Sequence, residues 1–304
     1  MGLLPMPAQG QDLDAVYRQV SGYAEWAPVW GRPTPFYDLP GELSGQWGRV
    51  YIGQYIGGNG LFPLVHMSFM GEGVTLTSPP DIGKPTLADA AWRRAYIQAA
   101  VDIAGALKPK YLSLGNEVNR WYESHGDKQG DPDAFSEYVS LYGATYDAVK
   151  AVSPDTDVFC TFAREIVSEN READLTVLSM FDPDKMDVLV FTSYPFAVRE
   201  INRPSDIPDD YYAGAAAYMP GKPFGFSELG WPSIDAFGGE EGQADFLRQA
   251  AGRLTVEQGI DLDLLGWAWL HDMDENDHTG LIHMDGTEKE AYGVWKELSG
   301  PGGR

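Results

Sequence analysis

Two short segments carry the residue types needed for acid–base and nucleophilic chemistry. Leu114-Gly115-Asn116-Glu117-Val118-Asn119-Arg120-Trp121 sets an amide and a carboxyl side by side directly after an apolar run, and Phe226-Ser227-Glu228-Leu229-Gly230-Trp231-Pro232 places a second carboxyl in the same way. Two carboxyls facing one bond suit cleavage of a glycosidic linkage. One must be protonated, to donate to the leaving oxygen, and the other ionised, to attack the anomeric carbon or activate water. A gap of roughly 5 Å between them favours double displacement with retention, and a wider one admits water and gives inversion. Their surroundings must also separate the two pKa values. Taken singly, each Glu reads as a solvated surface charge; the repeated placement at the end of an apolar run raises the pair above that reading.

The elements that must hold these residues alternate along the whole chain. Strands are expected at Leu3–Met6, Trp26–Trp30, Leu61–Met70, Tyr111–Leu114, Asp157–Phe162, Asp187–Thr192, Pro223–Phe226 and Leu262–Trp269. Helices are expected at 12–23, 88–107, 133–152, 171–180, 211–218, 241–258 and 291–298, with 31–60 irregular because of its Gly and Pro content. The clearest helical stripe is Trp92, Ala95, Tyr96, Ala99, Ile103 and Ala106. Eight strands in βα order, with no break in composition, point to a parallel sheet and to one α/β fold, a single (β/α)8 TIM barrel covering 1–304 as one catalytic domain. A doubly wound open sheet is the alternative, but its usual Gly-rich phosphate turn is missing. In a barrel, chemistry sits at the C-terminal ends of the strands, and strands four and seven end at the two Glu segments.

Composition narrows the partners. The 304 residues carry 45 Asp+Glu against 22 Lys+Arg, a net charge of −23. Phosphate-backbone binding needs the opposite sign, so no nucleic acid is expected, and no anionic membrane surface either. The 9 Trp, 16 Tyr and 13 Phe accompanying so many carboxylates suit neutral, ring-shaped ligands such as an oligosaccharide or polysaccharide. Cys160 is the single cysteine, which excludes an internal disulfide or a Cys-based zinc cluster and reads as a small buried hydrophobe. No stretch reaches the roughly 20 apolar residues of a membrane span. The first ten residues lack the regions of a secretory signal; secretion with the signal already removed is favoured over a cytoplasmic location, and the expected state is a monomer or weak oligomer.

With the two Glu segments in view, the chain resembles the clan A retaining glycoside hydrolases, whose two carboxyls follow strands four and seven. The opening Gly2-Leu3-Leu4-Pro5-Met6-Pro7, the stretch 108–119, Ser193-Tyr194-Pro195 and His278-Thr279-Gly280-Leu281 are similar to the arabinogalactan endo-β-1,4-galactanases of glycoside hydrolase family 53. The segment 227–233 is similar instead to the family 17 endo-β-1,3-glucanases. The resemblance implies Glu117 as acid/base, Glu228 as nucleophile, Asn116 hydrogen-bonded to the sugar 2-hydroxyl and Tyr194 hydrogen-bonded to the nucleophile. An arginine of the family after strand two has no clear counterpart; Arg32 is nearest.

Further candidates surround the pair. Of Trp267 and Trp269, one is expected at the mouth and the other against the helices, and the resemblance favours Trp267 as the sugar platform. Trp121, Trp231, Trp26 and Trp30 follow other strands and would serve either as subsites or as core. His66 and Arg164 would orient a carboxylate or hold it ionised, or else be paired structural residues. Asp272, Asp274 and Asn276 place oxygen ligands at alternate positions, the pattern of a structural calcium loop like one in bacterial galactanases, or of a solvated acidic loop; no cofactor is required. The activity expected is endo-acting hydrolysis, with retention by double displacement, of a neutral plant or microbial β-glycan such as β-1,4-galactan. The alternatives are an endo-β-1,3-glucanase and a carbohydrate-binding barrel without turnover, for which two opposed carboxyls would be unnecessary. A metal-dependent hydrolase would want clustered His, and the five present are scattered.

Overall fold

A computed structural model describes residues 1–29 and 35–300; Trp30 and Arg32 lie outside the described residues. Eight parallel strands close a barrel: β1 Gly2–Leu3, β2 Trp26–Val29, β3 Phe62–His66, β4 Tyr111–Ser113, β5 in two pieces Asp157–Phe159 and Thr161–Ala163, β6 Leu189–Ser193, β7 Phe224–Leu229 and β8 Leu262–Trp267. Closure runs through β5. Its first piece pairs with β4 and its second with β6, the change of partner falling at the buried Cys160. β1 pairs with both β8 and β2. The barrel expected from the alternation of elements is the one observed.

The barrel interior is filled by side chains, which forces small residues where a large one enters. Trp26 lies over two glycines: a Cβ on Gly2 would fall 2.0 Å from its indole, and one on Gly266 would fall 2.5 Å from the indole and 2.6 Å from the Ser227 carbonyl. The helices form the outer layer. Ala90–Leu107 starts where Asp89 accepts the amide hydrogens of Ala91 and Trp92, buries Trp92, Tyr96, Ala99, Ala100, Ile103 and Ala104, and stops at Lys108 in the left-handed region before Pro109. Phe135–Val152 packs against it. Tyr96 and Tyr138, one from each helix, both donate to the Leu114 carbonyl, at 2.7 and 2.9 Å. The end of β4 is thereby fixed one residue before the turn that carries Glu117.

Three expectations are corrected. Residues 39–59, expected to be irregular, form Leu39–Ser44, Gln46–Val50, a π-helical segment Tyr51–Ile56 and a 3-10 turn Gly57–Asn59. Packing overrides the glycines there, since at Gly48 the Leu43 carbonyl occupies the place of a Cβ. Residues 171–180 are not one helix. Arg171–Glu172 pairs with Glu165–Ile166, and only Leu175–Met180 winds into a 3-10 helix. Strand three ends at His66, and Met70–Gly71 turns back on Thr75–Leu76 as a hairpin. No helix among the described residues is long and apolar enough to cross a membrane.

Overpacking supplies a stability test. Gly266→Ala is expected to cost about 1–3 kcal/mol, read as a lower midpoint with an unchanged slope in urea unfolding, because neither the indole nor the Ser227 backbone has room to move.

Candidate active site

β4 delivers Glu117 through a strained turn. A Cβ on Gly115 would fall 2.5 Å from Val118 and 2.6 Å from the Tyr138 hydroxyl, and Glu117 itself sits at φ +50°, a conformation costly for a side chain of its size. Thr161 of β5 holds this turn. Its amide donates to the Gly115 carbonyl at 2.9 Å, its carbonyl accepts from the Val118 amide at 2.9 Å, and its hydroxyl accepts from the Glu117 amide at 2.9 Å while donating to Asn116 Oδ1 at 2.7 Å. Asn119 adds a reciprocal pair to Ala163, both bonds 2.8 Å. The bond from Thr161 thus occupies the Asn116 side-chain oxygen. On the carboxylate, Oε1 accepts from the Thr192 hydroxyl at 2.8 Å and Oε2 from the half-exposed Arg120 at 2.9 Å.

β7 delivers Glu228, next to last in the strand. The Tyr194 hydroxyl, from the end of β6, donates to Glu228 Oε2 at 2.6 Å. Burial pushes the Glu228 carboxyl up to about 7; Tyr194 opposes the rise and the negative charge of Glu117 adds to it. The two carboxyls therefore share one field at the C-terminal end of the barrel. Burial and Glu228 in turn hold the Tyr194 phenol well above its usual value, so it remains a donor. Its ring lies on Gly230, where a Cβ would fall 2.6 Å from Cε1.

The other expected residues divide. His66 ends β3 at the same rim, and burial pushes its imidazole down to about 3, so it is neutral. Arg164 turns away from the pair: it stacks on Tyr211 at 3.7 Å, meets Glu172 at 2.8 Å and lines a cleft beside the helix Ala213–Ala216. The indoles of Trp121, Trp231, Trp267 and Trp26 are all buried. Trp121 donates to the Asp133 carbonyl and stacks on His125, and Trp231 donates to the Phe237 carbonyl and stacks on Phe246. Trp267 donates to the Thr279 carbonyl and packs on Phe246 of the outer layer. Residues two apart on a regular strand share a face, but β8 ends at Trp267, so Trp269 is free to turn differently. Trp269 is the partly exposed indole of the two, and its N–H has no partner among the described residues.

Of the residues expected to ligate calcium, Asp272 and Asp274 are engaged within the protein. Asp272 is buried in an ion pair with Lys289 at 2.7 Å and accepts the Gly280 amide at 2.9 Å. Asp274 accepts the amides of Asn276 and Asp277, an ordinary turn. Among the described residues no group of three or more His, Cys, Asp or Glu is placed to hold a metal.

Sequence reasoning missed Thr161, Thr192, Arg120 and Glu165, and it favoured Trp267 over Trp269 for the mouth. A signal existed for the threonines, which are polar residues inside otherwise apolar strands. None distinguished Glu165 from Arg164 before the end of β5 was placed.

No protein-family model matches the chain, and no curated protein matches it. Solved structures do. A GH5_18 protein from Streptomyces cattleya in complex with Manβ1-4GlcNAc aligns over 98% of this chain and 79% of its own, with TM-score 0.64 and 15% identity. A family 39 glycoside hydrolase from Bacteroides cellulosilyticus aligns over 98% and 63%, with TM-score 0.65 and 15% identity. A β-glucuronidase from Bifidobacterium dentium aligns over 98% and 45%, with TM-score 0.61 and 14% identity. At these identities the likeness establishes the barrel, and it does not carry the family 53 or family 17 resemblance.

The raised Glu228 carboxyl has a consequence for stability. Its folded value, about 7, lies above the ordinary 4.5, so the unfolded chain releases the proton first and stability falls as pH rises from about 4.5 to 7. Glu228→Gln removes this penalty. Its melting temperature should exceed that of the wild type at pH 8 and approach it at pH 5, as followed by calorimetry.

Proposed function

We propose that the chain is a retaining β-glycoside hydrolase acting on a neutral oligosaccharide or polysaccharide. The observation that carries the proposal is the pair itself: Glu117 and Glu228 stand at the ends of β4 and β7 within one electrostatic field, each held by a donor from β6, Thr192 for the first and Tyr194 for the second. Glu228, as carboxylate, attacks the anomeric carbon while Glu117 gives its proton to the departing oxygen. The glycosyl-enzyme ester is then broken by a water molecule that Glu117 deprotonates. The Asn116 amide, with its oxygen already taken by Thr161, presents an N–H donor to the 2-hydroxyl. Trp269 supplies the apolar face for the sugar, in the role expected of Trp267.

Charge supports a neutral substrate. The chain carries 45 Asp+Glu against 22 Lys+Arg, so a polyuronate would be repelled. β-1,4-Galactan is the first substrate to test, and β-1,3-glucan follows from the segment around Glu228. Clan A resemblance underlies retention.

Two measurements test the reaction. Glu228→Gln should lower turnover by a factor of about 10⁴ or more while oligosaccharide binding persists, by the logic that an essential nucleophile acts only in the transition state; near-normal turnover sinks the assignment, as does the absence of activity on galactan, laminarin, lichenan, mannan, xylan and Manβ1-4GlcNAc. Separately, kcat/KM should decline as pH falls below about 7, the value toward which burial pushes the Glu228 carboxyl, since the protonated form cannot attack.

A further inference from the structure

Glu165 follows the second piece of β5 and is 4% exposed. Its carboxylate accepts from Ser193 Oγ at 2.9 Å and the Tyr211 hydroxyl at 2.8 Å on Oε1, and from the Tyr194 amide at 2.6 Å on Oε2. Arg164 is adjacent in sequence and favours its ionised form, and Tyr212 approaches through Ser193. A buried carboxylate is costly unless hydrogen-bonded, and a packing role alone would be served by an apolar side chain. What distinguishes this one is its reach. It binds the backbone of the residue whose hydroxyl meets Glu228.

We propose that Glu165 is a positioning residue: its carboxylate holds the Tyr194 backbone and thereby aims the Tyr194 hydroxyl at Glu228. The catalytic significance rests on the glycosidase reading above; the geometric claim does not. Three contacts place Tyr194. Glu165 takes its amide, its carbonyl accepts from Ala197, and its ring lies on Gly230. The last two constrain the ring plane and the turn after it, and the amide bond sets where the residue leaves β6. The groups facing Glu228 are Tyr194 and Glu117, and those facing Glu117 are Thr192 and Arg120. Glu165 therefore acts on the nucleophile through Tyr194.

The sign of one titration separates positioning from simple charge. Tyr194 donates to Glu228 and favours its ionised form, so misplacing Tyr194 raises the Glu228 midpoint. Deleting the negative charge of Glu165, with Tyr194 left in place, would lower it. The Glu228 carboxyl is to be titrated by infrared difference spectroscopy, subtracting Glu228→Gln controls, in wild type, Tyr194→Phe, Glu165→Gln and the double variant. Both single variants should move the midpoint upward by about one unit, and the double variant no further than Tyr194→Phe alone. An unmoved or lowered midpoint in folded Glu165→Gln overturns the proposal.

Should Glu165→Gln fail to fold, Glu165→Asp, which draws the carboxylate back from the Tyr194 amide while keeping its charge, is to be titrated in the same way. The Glu228 midpoint should again move upward; an unmoved midpoint in the folded variant overturns the proposal. Neither readout uses substrate, so a wild type inactive on every glycan condemns the glycosidase reading and leaves this one to be judged by itself.

Discussion

The hydrogen bonds that leave the end of β5 are the constraint on which the site depends. Thr161 holds the turn bearing Asn116 and Glu117 by four bonds, Asn119 is tied to Ala163, and Glu165 holds Tyr194, whose hydroxyl meets Glu228. One strand thus braces β4 on one side and β6 on the other. The residues that do so lie beyond Cys160, where β5 changes partner. The strain in Glu117, at φ +50°, is tolerated because the backbone groups on both sides of it are already satisfied.

Electrostatics then divide the two carboxyls. Glu228 is buried, has one donor and feels Glu117, and its value rises to about 7. Glu117 is met by a threonine hydroxyl and an arginine. The two carboxyls thereby occupy unlike surroundings, and it is Glu228 whose protonated form burial favours, so the ionised state in which it could attack is reached only as pH rises through about 7. Such an arrangement costs stability as pH rises from about 4.5 to 7, since the unfolded chain ionises Glu228 more readily than the folded one does.

Periodicity made much of this legible. The stripe through Trp92, Tyr96, Ala99 and Ile103 marks a helix because each of those side chains must face the sheet, and Pro223–Phe226 reads as a strand, which the structure extends to Leu229 so that Glu228 lies within it. The Glu positions followed from strand ends. What remained hidden was decided by contacts distant in sequence. Gly48 sits in a helix because a carbonyl takes its empty side; Trp267 is buried against Phe246 with its N–H on the Thr279 carbonyl, while Trp269 stays partly exposed; Asp272 is engaged by a lysine 17 residues away. Arg164 and Glu165 are neighbours in sequence, yet one stacks on Tyr211 by the outer cleft and the other faces Tyr194. No local pattern distinguishes a carboxylate that chelates, one that closes a turn and one that pairs with a buried cation.

Gln243, buried in the helix Gly239–Ala251, points its amide nitrogen at four carbonyls, those of Trp231, His278, Thr279 and Gly280. A single side chain from the outer layer therefore staples the loops after β7 and β8 to one another. The β8 loop consists of a pinned base, 277–280, in which Asp277 accepts the Thr279 amide, and an acidic tip, 273–276, closed by its own turn. Insertions or recoding at the tip can remodel the approach to the barrel mouth while the base keeps its register, so variation in what the molecule admits is uncoupled from the alignment of the groups beneath.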